Sequence, residues 1–184
     1  ICSGTSQSSW NGPLLLTTRC ETNSIFPFVE TFDNTPWTGV TGPGGFGDAI
    51  LNCWVRNPDV YNLNNMFITR TGATSTTNSG PNGGYSGTGN YMHVMNTYTA
   101  GSVALLELPQ QNLTSLTSPE LTYYYHMFGA GMGKVIVEAS INGGTSWVKL
   151  DSLVGQQQTA KSAAWLPRVV SLNSVKTAFT QIRF

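Results

Sequence analysis

The stretch Leu121-Thr122-Tyr123-Tyr124-Tyr125-His126-Met127-Phe128-Gly129, followed by Gly131, Gly133 and Lys134-Val135-Ile136-Val137-Glu138, decides how the chain is read. Four consecutive ring-bearing side chains on an extended backbone point alternately to the two faces of a sheet, so Tyr123 and Tyr125 oppose Tyr124 and His126. A strand with large rings on both faces suits the interior of a two-layer sandwich, with one face in the core and the other covered by a loop or a partner. The glycines then break the chain and a second strand starts at Lys134.

Outward from this pair, the chain reads as short strands separated by turns. Toward the C-terminus, Val135–Ala139 and Trp147–Leu150 flank Ile141-Asn142-Gly143-Gly144, the strongest hairpin signal present. Trp165–Leu172 and Phe179–Phe184 follow. Toward the N-terminus, strands are expected at Phe26–Asp33, Ile50–Trp54, Met66–Arg70, Tyr91–Met95 and Val103–Leu108. Between Gly72 and Gly89 lies a long loop of Gly, Ser, Thr and Asn, too poor in apolar surface to order itself against its backbone entropy. Many short strands and no convincing helix make an all-β sandwich of jelly-roll type. Phe28, Phe32, Trp54, Phe67, Tyr124, His126, Val135, Val137, Trp147 and Trp165 are its expected core.

Composition bounds the function. In 184 residues, 9 basic and 9 acidic side chains give no net charge, and there is no electrostatic case for nucleic acid or an anionic membrane. No apolar run reaches the roughly 20 residues that span a bilayer. Charged residues are 10 % of the chain, well below the usual ~25 %, with Ser, Thr, Asn and Gly in their place. That surface suits an exported β-protein, and secretion to the cell surface is expected. The first and last residues, Ile1 and Phe184, both read as lying within strands, so the chain is expected to be an excerpt of a longer polypeptide.

Residues 1–20 form a unit: a Ser-rich run, Trp10-Asn11-Gly12-Pro13, and a strand ending at Arg19-Cys20. A turn near Asn11 would set Cys2 opposite Cys20, within disulfide reach for antiparallel neighbours; two free thiols are the alternative. This unit resembles the last hairpin of a fibronectin type III domain, and residues 21–25 read as a linker.

From residue 26 to 184 the chain resembles the MAM domain, a jelly-roll adhesion module. The matching pieces are Phe28-Val29-Glu30-Thr31-Phe32-Asp33 with Trp37, Cys53-Trp54, Gly80-Pro81, Gly87-Thr88-Gly89-Asn90-Tyr91, Ser118-Pro119, and the Tyr125-His126-Met127-Phe128-Gly129 run, with Trp147, Trp165 and Ile182-Arg183-Phe184 beyond it. The resemblance implies a non-catalytic adhesion or spacer module of a large secreted bacterial surface protein, of the kind found in gliding or biofilm-forming bacteria and exported by the type IX pathway. Its partners would be a surface glycan, a protein ligand or neighbouring domains of the same chain. The family usually places a cysteine just before the central strand, where Glu120 and Leu121 stand here. Cys53 is therefore expected to be a free, buried thiol.

Catalysis finds little footing. Only His93 and His126 could serve a triad, and neither sits in a nucleophile motif; zinc would want clustered Cys and His. His126 reads instead as a structural histidine beneath a loop. A structural calcium ion is the expected cofactor, held by Glu30 and Asp33 at a strand end and by Asp48 closing a glycine-rich loop, with loop carbonyls completing the shell. The competing function is a carbohydrate-binding module accessory to an exported hydrolase or protease, in which Trp10, Trp37 and Tyr85 would stack on sugar rings.

Overall fold

The computed structural model describes residues 20–33, 53–57, 67–94 and 101–184. The expected hairpin over residues 1–20, with Cys2 and Trp10, lies outside the described residues but for Cys20, as do Trp37 and Asp48.

Nine strands in chain order make up the described residues: β1 Val55–Asn57, β2 Phe67–Thr71, β3 Asn90–Val94, β4 Leu105–Glu107, β5 Glu120–Tyr125, β6 Lys134–Ser140, β7 Val148–Val154, β8 Leu166–Ser171 and β9 Gln181–Arg183. One 3-10 turn, Asn173–Val175, precedes β9. The chain is all-β, as expected of a jelly-roll sandwich. One layer is a five-stranded antiparallel sheet in the order β1-β4-β9-β6-β7; β2 pairs with β3 and β5 pairs with β8. The reason β6 lies inside the large sheet is written in Val135-Ile136-Val137: β-branched residues on successive positions fill both faces of a pleat.

Val137 and Ala139 on β6, Ile182 on β9 and Leu106 on β4 are almost fully buried, together with Trp54, Leu108, Leu113, Leu172 and Val175. Phe67 and Met92 from the β2–β3 pair and Leu121 and Tyr123 from β5 pack against this cluster from the opposite side. The two small sheets thus cover the large one. Between β7 and β8, a two-pronged ion pair ties edge to edge: Arg168 donates from Nε and Nη2 to the two carboxylate oxygens of Asp151 at 2.7 and 2.6 Å. That guanidinium holds the Asp151 carboxyl below its ordinary range.

Several expectations need correction. The expected strand Phe26–Asp33 is irregular: Pro27 has no N–H to give a ladder, and Phe32 takes φ +62°, which an extended strand cannot accommodate. Phe28 is consequently 37 % exposed, and Tyr124, also expected in the core, is 44 % exposed. Trp147 and Trp165 are half-buried rather than sealed, each with its indole N–H donated to a loop carbonyl, Gly144 and Gly83 respectively. The expected hairpin is present, but residues 141–147 connect β6 to β7 as a longer turn, with Ser140 Oγ accepting the Gly144 N–H at 3.0 Å.

The disulfide is Cys20–Cys53, not Cys2–Cys20, with the two Cα atoms 5.6 Å apart. Cys53 is therefore not an orphan thiol. Symmetry about a local turn misled because residues 21–25, expected to be a linker, are bound to the sandwich. Asn23 donates its N–H to Gln110 O at 2.7 Å and accepts from the Asn112 N–H at 2.8 Å, while its side chain reaches Gln111 at 2.8 Å. Cys20 is carried by this attachment toward Cys53, which precedes the buried Trp54.

Candidate binding surface

The outer faces of β2, β3 and β5 carry side chains that a sheet facing water would not. Register pairs Ile68 with His93 and Arg70 with Tyr91. Alternation places these four on the face turned away from Phe67 and Met92. On β5 the same alternation separates Tyr123, which meets Phe184 at a ring distance of 5.0 Å, from Tyr124 and His126. A second, smaller layer forms here. Trp165 stands at 5.5 Å from Tyr91 and 5.8 Å from His126, ring centre to ring centre, both edge to face.

Burial sets the chemistry of this layer. It lowers the His93 pKa to about 4, aided by the Arg70 guanidinium, and raises Tyr91 to about 12, which Arg70 opposes. Burial also lowers His126, against a backbone contribution from Ala163. Both histidines are held neutral at physiological pH, as packing groups rather than proton carriers. Arg70 itself is buried and donates to Ala73 O at 2.8 Å.

The cover over this layer is the β2–β3 connection, residues 72–89, and it is pinned by named bonds. Gly80 donates to Phe128 O at 3.0 Å, and the His126 ring fills the place where a Cβ on Gly80 would stand. Lys161 Nζ donates to Thr74 O at 2.6 Å and Thr76 O at 3.0 Å, while Lys161 O accepts from the Asn82 N–H. Trp165 Nε1 donates to Gly83 O at 3.1 Å. The strap that carries Lys161 and Trp165 is anchored in turn by Gln158, 4 % exposed, whose side chain accepts the Met127 N–H at 2.7 Å and donates to Tyr125 O at 3.0 Å. An ammonium group on the chain itself thus binds the loop carbonyls.

Between loop and strap an open cleft of about 580 Å³ is left, with Asn82, Tyr85, Ser86, Lys161, Ser162 and Trp165 among its walls. At its rim Tyr85 lies against Tyr124, ring centres 4.0 Å apart and tilted by 40°. Tyr85 is 58 % exposed. The hydroxyl contact with Tyr124, more than burial, raises the Tyr85 pKa. Of the aromatics expected to bind sugars, Tyr85 is the described one, and it is exposed; its neighbour is Tyr124, which reasoning from strand periodicity assigned to the core.

The expected metal ligands are placed as follows. Asp33 Oδ1 accepts the Asn90 N–H at 2.6 Å and lies against Gly89, where a Cβ would collide with it. Glu30 Oε1 accepts the Phe32 N–H at 2.7 Å, a local turn contact. Asp33 therefore closes the neck of the long loop, a role its spacing from Glu30 did not announce. Among the described residues no three His, Cys, Asp or Glu side chains gather as a metal-binding group. Nor is any described helix long and apolar enough to cross a membrane.

Comparison with protein-family models matches the chain to the MAM domain (meprin/A5/mu) over residues 66–184. It takes in β2 to β9, and with them the loop, the strap and the cleft.

Proposed function

Because the chain belongs to the MAM family, whose members are adhesion-type extracellular modules, we propose that it is a non-catalytic adhesion or spacer module of a large secreted bacterial surface protein, of the gliding or biofilm type. The observation that carries this reading is how the histidines, the cysteines and Lys161 among the described residues are spent. His93 and His126 are neutral and packed, Lys161 is committed to carbonyls, and Cys20 and Cys53 are joined. The disulfide accords with an oxidising, extracellular setting. What the surface offers instead is a pinned loop with exposed Tyr85 beside exposed Tyr124 of β5, suited to contact rather than turnover.

Beads coated with the full chain test the reading. They should adhere to bacterial or host surfaces above beads coated with the reduced, unfolded chain; equal adhesion would refute it.

The calcium expectation is carried forward within this proposal, resting on the carboxylate oxygens of Glu30 and Asp33 not used for the two backbone amides. Such a site would raise the melting temperature on addition of calcium, and Glu30→Gln with Asp33→Asn would abolish that rise. A melting temperature indifferent to EDTA would leave both acids as turn and neck contacts alone.

A further inference from the structure

The cleft between residues 81–87 and 161–165 has three properties that together specify a class of ligand. Its rim is aromatic and exposed: Tyr85 and Tyr124 are 58 % and 44 % accessible and touch each other at 4.0 Å between ring centres. Its lining mixes amide, hydroxyl and backbone groups with apolar surface from Pro81, Ala163, Ala164 and Trp165. Among the described residues the one charged side chain there is Lys161, its ammonium turned onto Thr74 O and Thr76 O, and no carboxylate lines the walls. Its shape is also set in advance. A Cβ on Gly83 would stand 2.6 Å from Gly87 O, Gly87 donates back to Gly84 O at 2.9 Å, and Trp165 holds Gly83 O.

From these we infer that the cleft binds a neutral oligosaccharide, with one sugar ring on the exposed face of Tyr85, which Tyr124 backs, and its hydroxyls turned to Asn82, Ser86 and Ser162. The axial C–H face of a pyranose is apolar and flat, and it matches a phenol face, while its hydroxyls need both donors and acceptors. Amide and hydroxyl side chains offer both; ammonium and carboxylate groups offer one. An anionic ligand would find, among the described residues, one ammonium with two of its three N–H donors already spent on Thr74 O and Thr76 O. An extended peptide ligand gains most from an open strand edge, and this cleft is floored by loop backbone bonded to its own loop and strap. The volume of about 580 Å³ falls within the roughly 300–1,000 Å³ of small-ligand sites. Because the loop is already ordered, binding costs little further entropy.

The inference rests on the adhesion reading and names the ligand of that same surface. It is tested with the full chain, titrated calorimetrically with hexasaccharides of glucose, mannose and N-acetylglucosamine, with polygalacturonate as the anionic control. At least one neutral hexasaccharide should bind, and polygalacturonate should bind more weakly. Tyr85→Ala and Tyr124→Ala should each weaken binding by about tenfold or more. Tyr85→Phe, which keeps the ring face, should retain most of it. Unchanged melting temperatures will show that these exposed rings are not needed for folding. Absence of binding by all three neutral hexasaccharides overturns the inference, and so does binding that both alanine variants preserve. Bead adhesion lost in both variants, yet abolished by protease and not by glycosidase treatment of the target, also overturns it, in favour of a protein ligand. That result would leave the adhesion reading intact. Hexasaccharide binding by a chain whose coated beads fail to adhere would do the reverse.

Discussion

The imidazole of His126 occupies the space that a side chain on Gly80 would need: a Cβ built there would stand 2.6 Å from Nδ1. The backbone of the long loop therefore lies directly on the ring, and the contact requires glycine for closeness rather than for conformational freedom. Gly80→Ala should force the ring or the loop aside and cost about 1–3 kcal/mol, as overpacking does. Adding His126→Ala should recover part of that loss. A urea-denaturation cycle over the two sites would measure the coupling, and additive losses would mean the two do not meet.

Lys161 makes the corresponding polar contact. Lys161→Met would keep much of the apolar stem and leave Thr74 O and Thr76 O without their donor, a loss of about 1–3 kcal/mol. Hydrogen exchange should quicken for amides between Thr74 and Gly84, while β6 and β9 amides keep their protection. Unchanged exchange in the loop would show that Trp165 and His126 hold it alone.

The sequence conveyed the fold well where the signals are local or periodic. Tyr123 and Tyr124 do part to opposite faces, and Val137, expected in the core, is fully buried on β6. The long loop was recognisable as one that needed an anchor, and His126 as the group beneath it. What was hidden are the partners that come from far along the chain. Gln158 and Lys161 lie in a polar segment without pattern, and each acts only through atoms brought near by folding. Tyr124 was misassigned because alternation predicts which face a side chain takes, and not how completely that face is covered. The cysteine pairing failed for a related reason: nothing local reveals that Asn23 pairs with Gln111.

Peptide mapping without reduction should recover Cys20 bound to Cys53. With a separation of 33 residues, the chain-entropy model assigns this bond about 4 kcal/mol. Cys20→Ser and Cys53→Ser should lower stability equally, and unequal losses would point to a second role for one of them.

Acid should destabilise the fold in two ranges. His93 has a pKa of about 4 when folded, against the ordinary 6.5, so the unfolded chain takes up its proton first as pH falls. Its contribution is complete above 6.5 and is lost progressively between 6.5 and about 4, roughly 3 kcal/mol in all. His126, lowered in the same direction, adds to this. Asp151 contributes above the ordinary carboxylate range and loses its share only as pH drops through its depressed folded value. Replacing His93 with Phe, which keeps a ring beside Arg70 and Tyr91, should flatten the upper range and leave the lower one. An unaltered profile would show that His93 takes up its proton at the same pH in the folded and unfolded chain.

Under mechanical load the Cys20–Cys53 bond would make the protein shorter than its sequence. A pull on Cys20 passes through sulfur to Cys53, beside the buried Trp54, and the chain between them carries no tension. At about 3.6 Å per residue in full extension, the 33-residue separation hides roughly 12 nm of length. At the other end Phe184 exchanges two backbone bonds with Leu106, at 3.0 and 2.9 Å, beyond a strand flanked by β4 and β6. A force along β9 must shear those ladders together rather than unzip them one bond at a time. In a force–extension record, reducing agent should lengthen the final unfolded contour by the hidden 12 nm or so. The disulfide would then act as a length limiter, keeping the N-terminal attachment of a stretched module close to its core.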